Sequence, residues 1–445
     1  MSEGCAITPL DGWIVSRISA GTGGLERLAG YQTERLRETL RLVKSRSRFY
    51  ADLLRGIDPD AITSPDSLAE LPFTTPEMLA GRGEDFMCSP PGDAARVVTL
   101  PTSGTTGAPK RVCFTPEDIE LTRDFFHWGM KTLVSAGERV MIFMPGATEN
   151  GVGALLREAL QRLGCEGIVY GAITDPADAA RALADTGCKC AVGLPSQVYE
   201  AAVTGARGVK VESVLLSADY APRAVSEGIS RVWGCRVFDH YGMTEMGFGG
   251  GVECSARNGY HMREADMIFE IIDPHTGRPA RAGEYGEVVF TTLTRRGMPL
   301  VRYRTGDRSR RLPGGCPCGT ELGRLERVSG RVRDAVRLRS GGTLAMSQLD
   351  DVVYMCPGVA AYCAAIVTRA GGADCLALTV RPADGARLDA DALSHMLRSS
   401  EGLRGLCGDG APPPEIRTGE IGFRSSGALK RRISDMRDIN PPEKS

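Results

Sequence analysis

A chain of 445 residues is long enough for two or more domains around a large buried core. Its 54 basic and 55 acidic residues nearly cancel, to a formal net charge of -1, which argues against a broad basic face for nucleic acid. It contains no run of about 18 apolar residues, so no membrane span is expected. The fourteen cysteines, behind an N-terminus without a secretion-signal pattern, are expected to be cytoplasmic thiols with metal ligands among them.

Leu36, Leu40, Val43, Tyr50 and Leu54 recur at helical spacing and predict a helix lying on a core. Leu71-Pro72-Phe73-Thr74-Thr75-Pro76 breaks that pattern. An apolar run at Val97, Val98 and Leu100 then leads into Thr102-Ser103-Gly104-Thr105-Thr106-Gly107-Ala108-Pro109-Lys110. The glycines let backbone N–H groups turn inward around an anion, the hydroxyls add donors, and the lysine adds a mobile charge. These residues suit a phosphate grip; their composition alone also suits a Ser/Thr/Gly linker.

From about 95 to 245, short apolar runs alternate with helical segments. Strands are expected at 139–144, 167–170, 190–194, 213–217 and 236–238, and helices at 116–134, 154–163, 176–186 and 222–232. This alternation predicts an α/β fold whose mainly parallel sheet is covered by helices, with ligands in loops at the carboxyl ends of strands. Short strands at 268–272, 286–291 and 309–312 predict a small β subdomain. Beyond Gly330, strands at 364–367 and 376–380 and a helix at 390–397 predict a compact α+β domain, and Pro412-Pro413-Pro414 is a rigid spacer. The expected division is an N-terminal domain over 1–329 and a mobile C-terminal domain over 330–445.

Cys254, His261, Cys316 and Cys318 form a cluster with the spacing Cys-x6-His, a long insertion, then Cys-Pro-Cys-Gly. Glycines at 314, 315 and 319 let the second pair turn back on one ion. Three thiolates and an imidazole give closed tetrahedral Zn²⁺ coordination, a structural rather than catalytic site. The alternative is four unrelated thiol and imidazole groups. His127, His275 and His395 show no ligand partners in the sequence.

Three further stretches carry chemistry: Asp239-His240-Tyr241-Gly242-Met243-Thr244-Glu245, Tyr303-Arg304-Thr305-Gly306-Asp307 and Ser329-Gly330-Arg331-Val332-Arg333-Asp334. In this order, behind the glycine-rich loop, they resemble the adenylate-forming superfamily of acyl-CoA synthetases, luciferases and adenylation domains. Leu71–Pro76 and the cysteine pattern resemble its phenylacetate–CoA ligase branch. The resemblance covers roughly residues 35 to 435. It implies a two-step reaction in which ATP and a carboxylate give an acyl-adenylate and pyrophosphate, and a thiol of CoA or of carrier-protein phosphopantetheine captures the acyl group. Also within this chemistry is an amide-forming ligase; outside it, a degenerate nucleotide-binding member.

The same resemblance implies the residue roles. Thr102, Ser103, Gly104, Thr105, Thr106, Gly107 and Lys110 grip the β/γ phosphates, and Thr244 bonds the α-phosphate. Glu245 is a hard oxygen ligand for Mg²⁺. Tyr241 offers a flat ring to adenine, with Asp239, His240 and Gly242 around its edge. Asp307 accepts from both ribose hydroxyls, and Arg331 contacts the nucleotide. Arg333 stands where the family carries Asp or Lys as its hinge, so it is a hinge or an exposed arginine. The catalytic lysine expected near the C-terminus is replaced by Ala428, two residues before Lys430. Lys430 has taken over that role, or the chain adenylates weakly. The acyl pocket is expected between 144–153 and 247–251, where small residues leave room for a flat ring, favouring a neutral aromatic acid over a long fatty acid. No nucleic-acid or membrane partner is expected; a homodimer is compatible with the sequence.

Overall fold

The computed structural model describes residues 8–18, 24–100, 108–205, 208–330, 335–369, 372–408, 410–421 and 431–437. They divide into two units, Met1–Gly171 with Phe238–Val328, and Ala172–Val237 with Ser329–Ser445. The fold is α/β, with parallel strands joined by helices and smaller antiparallel sheets beside them.

In the first unit the expected N-terminal helix is two helices, Leu28–Arg46 and Arg48–Leu53. Ser47 turns extended between them and its hydroxyl accepts from the Tyr50 N–H at 3.3 Å, restarting the helix. Leu36, Leu40, Val43, Tyr50 and Leu54 are all buried. An earlier helix, Pro9–Ile18, lacks a clear periodic signal. Arg96–Leu100 and Lys110–Phe114 form an antiparallel hairpin with Leu100 opposite Lys110, so Lys110 opens a strand directly beyond the 101–107 segment. Thr115 and Asp118 form a capping box ahead of Pro116–Met130. Arg139–Phe143 and Glu166–Val169 pair in parallel, joined by the helix Val152–Arg162.

The strand Arg236–Tyr241 pairs antiparallel with Gly251–Glu253, which pairs with Tyr260–Met262, which pairs with Arg324–Leu325. A separate antiparallel sheet runs Met267–Ile272, Gly286–Thr292, Tyr303–Ser309. Two expectations change here. The strand expected at 236–238 continues to Tyr241, and the strand expected at 309–312 lies at Tyr303–Ser309. Asp239, His240, Tyr241 and Asp307 therefore stand on strands rather than in loops. Gly306 takes φ 76° without ending its strand, because its N–H donates to Glu287 Oε1 and the Thr305 hydroxyl donates to the Val288 carbonyl.

In the second unit, Cys190–Gly193 and Ser213–Leu216 pair in parallel among the helices Pro176–Thr186, Pro195–Thr204 and Arg223–Trp233. The later half is a four-stranded sheet in the order Glu415–Thr418, Asp374–Pro382, Val359–Thr368, Ser434–Asp435, with the helices Met346–Val353 and Ala390–Ser399. The two stretches of this unit are stitched by polar and aromatic contacts. The Tyr199 hydroxyl donates to the Val359 carbonyl at 3.2 Å, Tyr220 donates to Asp351 at 2.7 Å, and the Tyr199 and Tyr354 rings meet edge to face.

Candidate functional site

Side chains alternate across a strand, so Asp239 and Tyr241 share one face of Arg236–Tyr241 while His240 takes the other. The Tyr241 hydroxyl donates to Asp307 Oδ2 at 2.9 Å, and its ring stacks with Tyr260. Four residues on, Glu245 sits in a single 3-10 turn, Thr244–Met246, only 2% exposed. Its Oε1 accepts from Lys110 Nζ at 2.5 Å and from the Tyr303 hydroxyl at 3.1 Å; its carbonyl accepts from Arg295 at 2.6 Å. Tyr303 and Asp307 are four apart on one strand, on either side of Gly306 at φ 76°, where its register against the neighbouring strand shifts. They bond two residues, Tyr241 and Glu245, that are also four apart. Two rungs thus tie the carboxyl end of one strand to the face of another, with Lys110 reaching in from the hairpin. Thr244 is half-buried at the start of the turn.

Backbone strain marks this loop. Phe248 has φ 67°, unusual for a bulky residue, directly after Gly247 at φ 70°. Its N–H donates to the Met243 carbonyl at 3.0 Å and its ring stacks on Phe114. A Cβ on Gly242 would meet the Phe248 carbonyl oxygen at 2.4 Å, so only glycine lets the two ends of the loop touch.

Asp239 is tied inward. Tyr260 donates to its Oδ2 at 2.7 Å, its N–H donates to Glu253, and Arg327 grips Glu253 with two nitrogens at 2.8 and 2.6 Å. Burial pushes the Asp239 carboxyl up to about 7, opposed by the Arg327 charge. The His240 ring lies against Phe125 and Phe126, and burial pushes it down to about 4, so it is neutral at pH 7. Thr102, Ser103, Gly104, Thr105, Thr106, Gly107, Arg331, Arg333, Ala428 and Lys430 lie outside the described residues.

Among the described residues, the group able to hold a metal ion is the cluster expected from the spacing: Cys254, His261, Cys316 and Cys318, all ligand atoms within 4.8 Å of one another. Cys254 Sγ is 3.6 Å from Cys316 Sγ, and Cys318 Sγ is 3.6 Å from His261 Nε2. Zn–S bonds of about 2.3 Å at tetrahedral angles place ligand atoms about 3.7 Å apart, so these edges fit the ion. His261 Nδ1 lies 3.3 Å from the Gly323 carbonyl, which turns Nε2 toward the thiols.

The acyl-pocket expectation needs correcting in its reason. The space vacated by the glycines at 249, 250 and 251 is filled: added Cβ atoms would meet Phe125 at 2.4 Å, Met246 Sδ at 2.8 Å and Met262 Sδ at 2.6 Å. These glycines serve close packing and do not by themselves open room for a ring. Sequence reasoning also passed over Arg295, Tyr260, Glu253 and Arg327, which stand outside any local motif. Tyr303 lay within a quoted stretch but received no role.

The family model for the AMP-binding enzyme matches residues 29–293. The chain therefore belongs to the AMP-binding enzyme family, the adenylate-forming enzymes. Within it the chain stands with the phenylacetate–CoA ligase branch. A phenylacetate-coenzyme A ligase of Thermus thermophilus is 30% identical over 365 residues, 78% of this chain and 80% of that one. The Escherichia coli enzyme of the same name is 29% identical over 380 residues, 81% and 83% of the two chains. A solved 2-hydroxyisobutyryl-CoA ligase, in its postadenylation state with an acyl-AMP, shares the fold with a TM-score of 0.76 at 19% identity, covering 98% of this chain and 94% of that one. Among the described residues no helix is long and apolar enough to cross a membrane.

Proposed function

We propose that this chain is an AMP-forming acid–CoA ligase acting on an aromatic carboxylic acid. The substrate oxygen attacks the α-phosphorus of ATP, the bond to the β-phosphate oxygen breaks, and pyrophosphate leaves. The thiol of CoA then attacks the acyl carbon and AMP leaves. The observation that carries the nucleotide half is the paired rung of Tyr241–Asp307 and Glu245–Tyr303 with Lys110 at its edge. It gathers an aromatic ring, a carboxylate able to take two ribose hydroxyls, and a cation beside a buried hard-oxygen donor. The aromatic acid and the CoA acceptor rest on the named activity of the relatives.

Lys110 and the 102–107 segment would neutralise the β/γ phosphates, Thr244 would bond the α-phosphate, and Arg331 would contact the nucleotide. Since the Asp239 carboxylate is held by Tyr260, its part is to set the Tyr241 backbone beside the adenine. Mg²⁺ bound with ATP would spread phosphate charge, and Glu245 is the residue placed to hold it. Zn²⁺ would be held by Cys254, His261, Cys316 and Cys318 as a structural centre. The 330–445 segment would swing about 330–334 between half-reactions; hydrogen exchange there should differ between ATP with acid and CoA, and identical patterns would refute the swing. A cytoplasmic setting accords with the chain's many cysteines read as thiols.

One observation favours a second reading, weak adenylation: Ala428 stands where the family's catalytic lysine is expected. A panel of aryl acids with ATP and Mg²⁺, scored for pyrophosphate release with and without CoA, separates the two. Acid-dependent release with thioester formation supports the ligase; no release with any acid supports the degenerate member.

A further inference from the structure

The helix Pro9–Ile18 precedes the 29–293 family match, yet one of its carboxylates reaches the metal cluster's own loop. Asp11 is 5% exposed. Its Oδ2 accepts from the Thr8 N–H at 2.7 Å and the Thr8 hydroxyl at 2.5 Å, a cap on its own helix. Its Oδ1 accepts from the Thr320 hydroxyl, and that oxygen accepts the Leu322 N–H at 3.1 Å. Thr320 lies two residues past Cys318, in a turn closed by the Gly319 N–H on the Cys316 carbonyl. Gly323, next after Leu322, supplies the carbonyl that faces His261 Nδ1. One carboxylate thus sets, through one hydroxyl, the segment that joins a sulfur ligand to the backbone orienting the imidazole ligand. The helix is anchored independently of the cluster: Trp13, 1% exposed, donates to Asp124 at 2.6 Å, and Arg17 pairs with Asp266 at 2.8 Å.

We propose that Asp11, acting through Thr320, is a positioning residue of the metal centre, and that the N-terminal helix and the bound ion hold each other in place. This rests on the zinc reading of the four-residue cluster. A buried Thr–Asp hydrogen bond of this kind fixes a ligand-bearing turn before the ion arrives, and outer partners of ligands typically set metal affinity within 10–100-fold. The arrangement is reciprocal: an ion that prefers the ordered turn also stabilises the helix docked on it.

The test uses the full chain and zinc alone. Thr320→Val keeps side-chain shape and leaves the helix cap intact, so it isolates the link. Zinc affinity, measured by competition with a chromogenic chelator, should fall by roughly tenfold or more in Thr320→Val and recover in Thr320→Ser. Asp11→Ala should weaken zinc comparably, and the Asp11→Ala/Thr320→Val double variant no further, because both break one chain of bonds. Stripping zinc from the parent should speed amide exchange across residues 9–18. Parent-like zinc affinity in a folded Thr320→Val, or exchange in 9–18 indifferent to zinc, overturns this proposal alone. A parent chain that neither carries nor binds zinc overturns the metal reading, and this proposal with it.

Discussion

The two sites of the first unit are built on opposite electrostatic plans. At the metal cluster the donors are alike: three thiols and an imidazole crowd within 4.8 Å, and as thiolates they repel unless a cation joins them. At the proposed nucleotide site the groups are complementary: Lys110 pairs with Glu245, and Tyr241 donates to Asp307. On the zinc reading the first would keep its ion, as a structural centre does. The second satisfies itself, and in the proposed role its groups would exchange partners when a nucleotide enters, as a turnover site has to.

The sharpest way to break this contrast is at the metal. Cys316→Ser should remove the ion, about one per chain in the parent by elemental analysis, and lower the melting temperature substantially. Retained metal and an unmoved melting temperature would show that the cluster is not a kept site. Next in size, Lys430→Ala should slow acid-dependent pyrophosphate release by about 10²–10³, the value of one donor on developing charge, while sparing thiol transfer from preformed acyl-adenylate. A parent-like rate, with Ala428→Lys faster than the parent, would make Lys430 a surface lysine. Asp307→Ala should weaken ATP by roughly tenfold or more by calorimetry, because two charged hydrogen bonds to ribose are lost. Unchanged affinity would remove Asp307 from the exchangeable set.

The smallest effect concerns His240, whose ring lies against Phe125 and Phe126. Its folded pKa, near 4, lies below its ordinary 6.5. Protonation therefore favours the unfolded chain: the stability its neutrality supports is full above pH 6.5 and is lost as pH falls toward 4. His240→Gln should flatten the decline in melting temperature across that window. A decline as steep in the variant would assign it to other groups.

Where the sequence spoke locally, it spoke clearly. The strand–helix alternation placed the helix Pro176–Thr186 to the residue, and the Cys-x6-His spacing with Cys-Pro-Cys-Gly brought together four residues that meet in space. The strand ends did not show. Asp239–Tyr241 reads as a polar run, and its extension rests on pairing that the local sequence does not show, such as His240 opposite Val252 and Tyr241 opposite Gly251. Arg295 and Arg327 carry no signal because their partners, the Glu245 carbonyl and the Glu253 carboxylate, lie 50 and 74 residues away and such long-range contacts obey no sequence period. The glycines at 249–251 misled for a physical reason: a missing side chain marks either open room or a neighbour pressed close, and the two look identical in a sequence.

The second unit is discontinuous, and that sets a schedule for making it. Tyr199 must bond Val359, 160 residues later in the chain, and Tyr220 must bond Asp351, 131 residues later. At a synthesis rate of about 5–20 residues per second, the 172–237 stretch stands finished for roughly 6 to 24 s before Val359 is made. Through that interval the Tyr199 hydroxyl and ring wait for the carbonyl and the ring they meet in the folded unit.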